Sequence, residues 1–241
     1  MEETKFHSSD PVTWDALAPD YDAERETDRV YHACVQQVVA DLRPAGVVLE
    51  CGCGTGLATR YLLESERVSS LHAVDFSEGM LEEVRRKFPA HELDTTQADL
   101  RELPYPDKTF DCVLSANVLQ HLAPEDQMLA ATEIMRVLRP GGRFSVSVHH
   151  YSTDKQLRGW EKQGKPGQPG VDYIFRYTRE ELAHLFPGAR IRAIGFYGWP
   201  AQMLLTRAAG HVLARLGRGH MISAHGIRPT RSAIRATGIW H

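Results

Sequence analysis

The chain has no apolar run approaching the roughly 20 residues needed to cross a bilayer. The stretch from Met1 to His7 lacks both the basic region and the apolar stretch of a secretory signal. A cytoplasmic protein without membrane association is therefore expected. Cysteine is scarce too: Cys34, Cys51, Cys53 and Cys112 are too few for a disulfide scaffold. Cys51 and Cys53 stand close together, but no second Cys/His pair lies at zinc-finger spacing, so they read as small residues packed under a tight turn, and no metal is expected. The phosphate-binding pattern Gly-x4-Gly-Lys-Ser/Thr is absent, as is any internal repeat. What remains is ordinary globular composition over 241 residues, 42% hydrophobic and 24% charged. That suits one domain, 1–241, with a core that needs no staples.

Charge is unevenly placed around the net −3. Residues 1–41 are strongly acidic, whereas residues 201–241 contain no acid and six arginines: Arg207, Arg215, Arg218, Arg228, Arg231 and Arg235. These are solvated faces, or the basic tail grips an anionic partner.

From about residue 47 to 150, short apolar runs alternate with amphipathic stretches, the pattern of β-α units on a parallel sheet. Strands are predicted at Val47–Leu49, Leu71–Asp75, a weaker one before Ala98, Phe110–Ser115 and Phe144–Val148. Ser77 caps a helix that places Met80, Leu81 and Val84 on one face. Pro124 opens another, with an apolar stripe of Met128, Ala131, Met135 and Leu138, stopped by Pro140-Gly141-Gly142. Residues 1–45 read as an N-terminal helical segment. Residues 151–175 are polar and rich in glycine and proline with no clear period, so 151–176, together with 198–219, reads as cap or lid insertions. Thr178 and Glu181 form a capping box. Ile191–Phe196 and Met221–Ile227 are the last two expected strands, with an amphipathic helix at Gln202–Leu216 between them.

Glu50-x-Gly52-x-Gly54-x-Gly56 follows a strand and opens a helix, where glycines let backbone approach a ligand. A pyrophosphate is the first reading, but position 57 is Leu, and the dinucleotide fingerprint requires glycine there. Asp75 ends the next strand, where a carboxylate accepts hydrogen bonds from a ribose. Asp99 is placed for an adenine amino group. Three acids suit a ligand that has a ribose, an amino group and a positively charged sulfonium, but no phosphate. S-adenosylmethionine is such a ligand.

Val47 to Gly56 resembles the first motif of class I S-adenosylmethionine-dependent methyltransferases. Ala73–Ser77 with Met80 resembles their second motif, and Gln97–Leu100 their third. Leu103–Asp111 and Arg136–Gly142 are similar to the linker and turn of the branch that contains quinone-biosynthesis and natural-product methyltransferases. The resemblance covers roughly residues 14–150. It implies a doubly wound, Rossmann-like α/β fold, its seven-stranded sheet in the order 3-2-1-4-5-7-6 with strand 7 antiparallel. It implies methyl transfer to a small-molecule acceptor, with release of S-adenosylhomocysteine. Gly52, Gly54 and Gly56 would pack on the methionine part, and Glu50 near its amino group. Asp75 would hold the ribose; Phe76, Met80 and Leu100 would enclose the adenine, with Ala98 and Asp99 at its amine. Asn117 and Val118 would flank the methionine end, and Tyr21 would close over the cofactor.

An oxygen acceptor needs a base. His121, just past strand four, aligns with the catalytic histidine of plant O-methyltransferases, and imidazole titrates near neutrality; the alternative is a histidine that only shapes the pocket. His149 and His150 leave strand five at the same edge and are further catalytic candidates, or one of them makes a structural hydrogen bond. Tyr151, Trp160, Tyr173, Tyr177, Tyr197 and Trp199 are candidates to line the acceptor site. Strand four ends Ser115-Ala116-Asn117-Val118, not in the Asn/Asp-Pro-Pro-Tyr/Phe of base and glutamine methylation, and no Pro-Cys nucleophile is present. Nucleic acid is thus disfavoured as acceptor. An RNA or protein methyltransferase using the basic C-terminal segment, or a catalytically silent protein on the same fold, are the competing readings; a homodimer is compatible with the sequence.

Overall fold

The computed structural model describes residues 11–25, 28–89, 93–150, 159–162, 173–194 and 221–230. Two helices, α1 (Pro11–Arg25) and α2 (Arg29–Leu42), precede the first strand. The sheet strands are β1 (Gly46–Cys51), β2 (Val68–Asp75), β3 (Leu93–Gln97), β4 (Phe110–Ala116) and β5 (Leu138–His149), with α3 (Leu57–Leu63), α4 (Glu78–Lys87) and α5 (Pro124–Val137) between them. A short hairpin, β6 (Gly159–Lys162) and β7 (Tyr173–Arg176), is followed by α6 (Arg179–Leu185), β8 (Arg190–Ile194) and β9 (Met221–Ile227). Among the described residues, no helix is long and apolar enough to cross a membrane.

The seven strands lie in the order β3-β2-β1-β4-β5-β9-β8. The first five pair in parallel, and β9 runs antiparallel to both β5 and β8. This is the expected order, with the hairpin strands shifting the last two numbers. Alternation along the strands feeds two cores. Leu49, Val113 and Val146 join Ile134 of α5 and Leu182 of α6 on one face, while Val48, Cys112 and Leu114 join Val38 of α2 and Leu62 of α3 on the other. Each such side chain, removed from water, contributes about 1.5–3 kcal/mol. Cys51 and Cys53 fall into separate cores, each buried, and burial pushes both thiols up from their ordinary value.

Helix α4 starts where Ser77 accepts from the Met80 amide at 3.1 Å, and ends on Arg85, Arg86 and Lys87, which complement the helix dipole. The capping box of α6 is formed by Thr178 and Glu181 in both directions. Helix α5 departs from expectation. Its buried face is Gln127, Ala130, Ala131, Ile134 and Val137, while Met128 is exposed. The face is rotated by about one residue because Gln127, polar but buried, donates to the Leu122 carbonyl and takes the inward position. Leu138 belongs to β5, and Pro140-Gly141-Gly142 does not separate helix from strand. Gly141 and Gly142 exchange backbone hydrogen bonds of 2.8 Å with Arg228.

Part of 151–176 also differs from the aperiodic reading: β6 and β7 pair antiparallel, Trp160 opposite Phe175 and Lys162 opposite Tyr173. Four-residue strands are too short to display a period. The rest of that segment, the 198–219 segment and the Gln202–Leu216 helix lie outside the described residues.

Candidate functional site

The chain leaves β1 through Gly52–Gly56 into α3. The Gly52 and Cys53 amides both donate to the Val74 carbonyl, at 2.7 and 3.0 Å, so the turn is tied to the neighbouring strand. Gly52 has φ +69, and a β-carbon there would collide with the Val118 side chain. Gly54 has φ +51 and nothing within 4 Å of where a β-carbon would stand. Its open side is a cradle that a side chain would fill.

The turn floors a cavity of about 510 Å³, within the range of small-molecule sites. Glu50, Gly52, Gly54, Gly56, Asp75, Phe76 and Met80 line it. Ala98, Asp99, Leu100, Asn117, Val118 and His121 come from the ends of β3 and β4, and Tyr21 from α1. His149 and His150 are not among the lining residues. His150 is buried and bridges to Tyr177, while the His149 amide donates to Gln120 Oε1 at 2.9 Å. Tyr177 is no acceptor wall: it is buried, and its hydroxyl donates to the Leu119 carbonyl at 3.2 Å. Trp160 and Tyr173 have their backbones in the hairpin, and Tyr151, Tyr197 and Trp199 lie outside the described residues.

Two of the acids have no ion-pair partner among the described residues. Glu50 is fully buried, and desolvation pushes its carboxyl from the ordinary 4.5 to about 8, against the Thr59 hydroxyl that donates to it at 2.7 Å. Asp75 rises to about 6, again through burial, although it accepts from the amides of Gly54 at 2.8 Å and Ser77 at 3.1 Å. Asp99 behaves differently. Burial pushes it up, but hydrogen bonds from the Arg101 side chain and backbone and the Arg101 charge outweigh that and hold it below its ordinary value. Asn117 stands at φ +61, its Oδ1 accepting from Ser147, while its buried Nδ2 has no partner among the described residues.

Sequence reading missed the residues that fasten α1 over this cavity. Asp15 accepts from the Ser77 hydroxyl at 2.6 Å and the Gly79 amide at 2.9 Å. Asp22 accepts from the Thr55 hydroxyl at 2.6 Å and pairs with Lys87. Trp14 and Ala18 pack on Met80, and the Trp14 ring meets His121 edge-on at 5.0 Å. The helical reading of residues 1–45 and the family-like position of Tyr21 signalled this helix, but not its fastenings. The 3₁₀ turn that carries His121 is held from three sides, by Tyr177 on Leu119, Gln127 on Leu122, and Gln120 on His149.

Residues 49–146 match the methyltransferase domain family. The demethylmenaquinone methyltransferase of Symbiobacterium thermophilum is 36% identical over 215 residues, 83% of each chain. The chain belongs to the class I S-adenosylmethionine-dependent methyltransferases. A malonyl-[acyl-carrier protein] O-methyltransferase of Halorhodospira halophila is 40% identical over 143 residues, and there this methyltransferase spans 48% of the relative's length. In fold it resembles the Burkholderia thailandensis 1,6-didemethyltoxoflavin-N1-methyltransferase, solved with S-adenosylhomocysteine, at TM-score 0.63 and 20% identity, covering 95% of this chain and 93% of that one.

The cofactor of this methyltransferase is S-adenosylmethionine, and the residues present fit it. Unpaired Glu50 and Asp75 suit a cation and hydroxyl donors, Gly54 leaves an open cradle, and the Asn117 Nδ2 offers a donor. Among the described residues, no group of three or more His, Cys, Asp or Glu is arranged to hold a metal.

Proposed function

We propose that the protein transfers the methyl group of S-adenosylmethionine to an oxygen of a small-molecule acceptor, with His121 as the base. The observation that carries this reading is the convergence of Glu50, Asp75, Asp99 and His121 on one cavity. When bound, the cofactor supplies an activated methyl group on sulfur; the protein then mainly positions, excludes water and removes a proton. Glu50 holds the ammonium, Asp75 the ribose hydroxyls, and Phe76, Met80 and Leu100 enclose the adenine, with Ala98 and Asp99 at its amine. Asn117 and Val118 hold the methionine end opposite the glycine turn, and Tyr21 covers the cofactor. The acceptor lies on the side of His121 and Trp14, which packs against the imidazole and limits its rotation. The O-methyltransferase activity named for the Halorhodospira relative is in keeping with an oxygen acceptor.

The test is turnover of His121→Gln. A lost general base lowers turnover by about 10²–10⁴, with S-adenosylhomocysteine affinity nearly unchanged and with loss of the pH dependence near neutrality. Nearly full turnover would remove His121 from the chemistry and point to an acceptor that is nucleophilic without a base.

A further inference from the structure

Strand β4 leaves the sheet before β5 does. The Asn117 amide still donates to the Ser147 carbonyl at 2.9 Å, after which the chain swings into the 3₁₀ turn. Along a strand, the N–H and C=O of every second residue face the same neighbour. His149, two residues past Ser147, therefore presents both groups to the edge that β4 has left. Groups from elsewhere take that place. Gln120 Oε1 accepts from the His149 amide at 2.9 Å, and the Tyr177 amide donates to the His149 carbonyl at 2.9 Å. Gln120 is buried, and a polar side chain is kept inside where it is hydrogen-bonded.

The turn that carries Gln120 has three residues, one for each face, because a 3₁₀ helix has three per turn. Leu119 faces the core and Gln120 faces β5, which leaves the third face, that of His121, to the cavity. The backbone bonds from His121 to Val118 and from Leu122 to Leu119 fix the shape of the turn, not its rotation against the sheet. Gln120 ties it to a strand through a side chain and so sets that rotation. It is not among the residues lining the cavity, so it can act on the chemistry only through its neighbour. We propose that Gln120 is a positioning residue for methyl transfer: standing in for the next rung of β4, it holds the His121 imidazole toward the acceptor. The inference rests on His121 acting as the base. Trp14 packs edge-on against the imidazole so held, at 5.0 Å.

The test is NMR of the full chain bound to S-adenosylhomocysteine, reading the ring resonances of His121, which are assigned by their loss in His121→Gln. Gln120→Met keeps the length of the side chain and removes the acceptor oxygen. The His149 amide should then exchange about ten- to a hundredfold faster, as an amide that has lost its partner does. The His121 ring signals should shift or broaden, while S-adenosylhomocysteine affinity stays within about twofold of the parent. Gln120→Glu, which keeps an oxygen in the same place whether or not it is ionised, should restore the parent His121 spectrum. If Gln120→Met does not fold, Gln120→Asn, with its oxygen withdrawn by one methylene, gives the same reading. A lower unfolding midpoint with unmoved His121 signals would leave Gln120 a structural residue and overturn the proposal. So would a Gln120→Glu spectrum as perturbed as that of Gln120→Met. Full turnover of His121→Gln would instead strike the base reading, and this inference with it; that variant is measured first, so the two failures are told apart.

Discussion

Two stretches of the sheet's carboxyl edge behave in opposite ways. Where β1 meets β4, the chain departs to opposite faces, into α3 on one side and through the 3₁₀ turn toward α5 on the other, and a crevice opens between them. Such a switch point is where ligands bind in open α/β sheets. Where β5 meets β9, the antiparallel return brings Met221 beside His149 and buries it along with Ile194. Tyr177 then seals this end, its amide donating to the His149 carbonyl at 2.9 Å. Both stretches end in histidine or polar residues; among the described residues, those of the first line the cavity, and His149 and His150 do not. Chain direction and crossover decide which strand ends work on a ligand; residue type does not.

The largest expected effect separates the two directly. His121→Gln should cost turnover by about 10²–10⁴, whereas His150→Gln should leave the chemistry within about tenfold and act on stability, since His150 is buried away from the cavity lining. Comparable losses of turnover from both would break the comparison. Next is Asp75→Ala, which removes hydrogen bonds from a charged group and should weaken S-adenosylhomocysteine by about 10–100-fold; calorimetry on folded variant would show it. At the sealed edge, Tyr177→Phe removes one of two donors to the Leu119 carbonyl, which keeps the Leu122 amide at 3.1 Å, so about 0.5–1.5 kcal/mol of stability should disappear in denaturant titration, with turnover falling only as far as the His121 turn loosens.

A smaller effect is a matter of protons. Glu50 rises from 4.5 to about 8 in the free protein through burial. The folded state therefore holds more protons than the unfolded chain across that window, and stability falls as pH climbs through it. A cationic cofactor stabilises ionised Glu50, so binding at neutral pH should release protons and tighten as pH rises toward 8. Calorimetry in buffers of different ionisation enthalpy measures that release, and Glu50→Gln should abolish it. Proton uptake instead would refute the ammonium assignment. The smallest change is expected from Asp22→Asn, which loosens the α1 fastening to Lys87 and should weaken the cofactor about twofold to fivefold, as exposed ion pairs do.

Local chemistry was written plainly in the chain. Gly52, Gly54 and Gly56 after an apolar run, an acid at the end of each of the first strands, Ser77 and Thr178 as caps, and Pro124 at a helix start each depend on neighbours within a few residues. Sequence alone therefore determined the parallel β-α framework and the residues of the glycine turn and strand ends that line the cavity. Only tertiary structure decided what depends on distant partners. The inward turn of Gln127 comes from the Leu122 carbonyl, and the clamp on the His121 turn comes from Tyr177, 58 residues from Leu119. Asp15 and Asp22 reach Ser77 and Thr55 across the cavity mouth. Glu50 shows the divide most clearly: its identity and place were legible from the motif, but its shifted acidity arises because two sheet faces and α3 exclude water around it, and no spacing of residues encodes that exclusion.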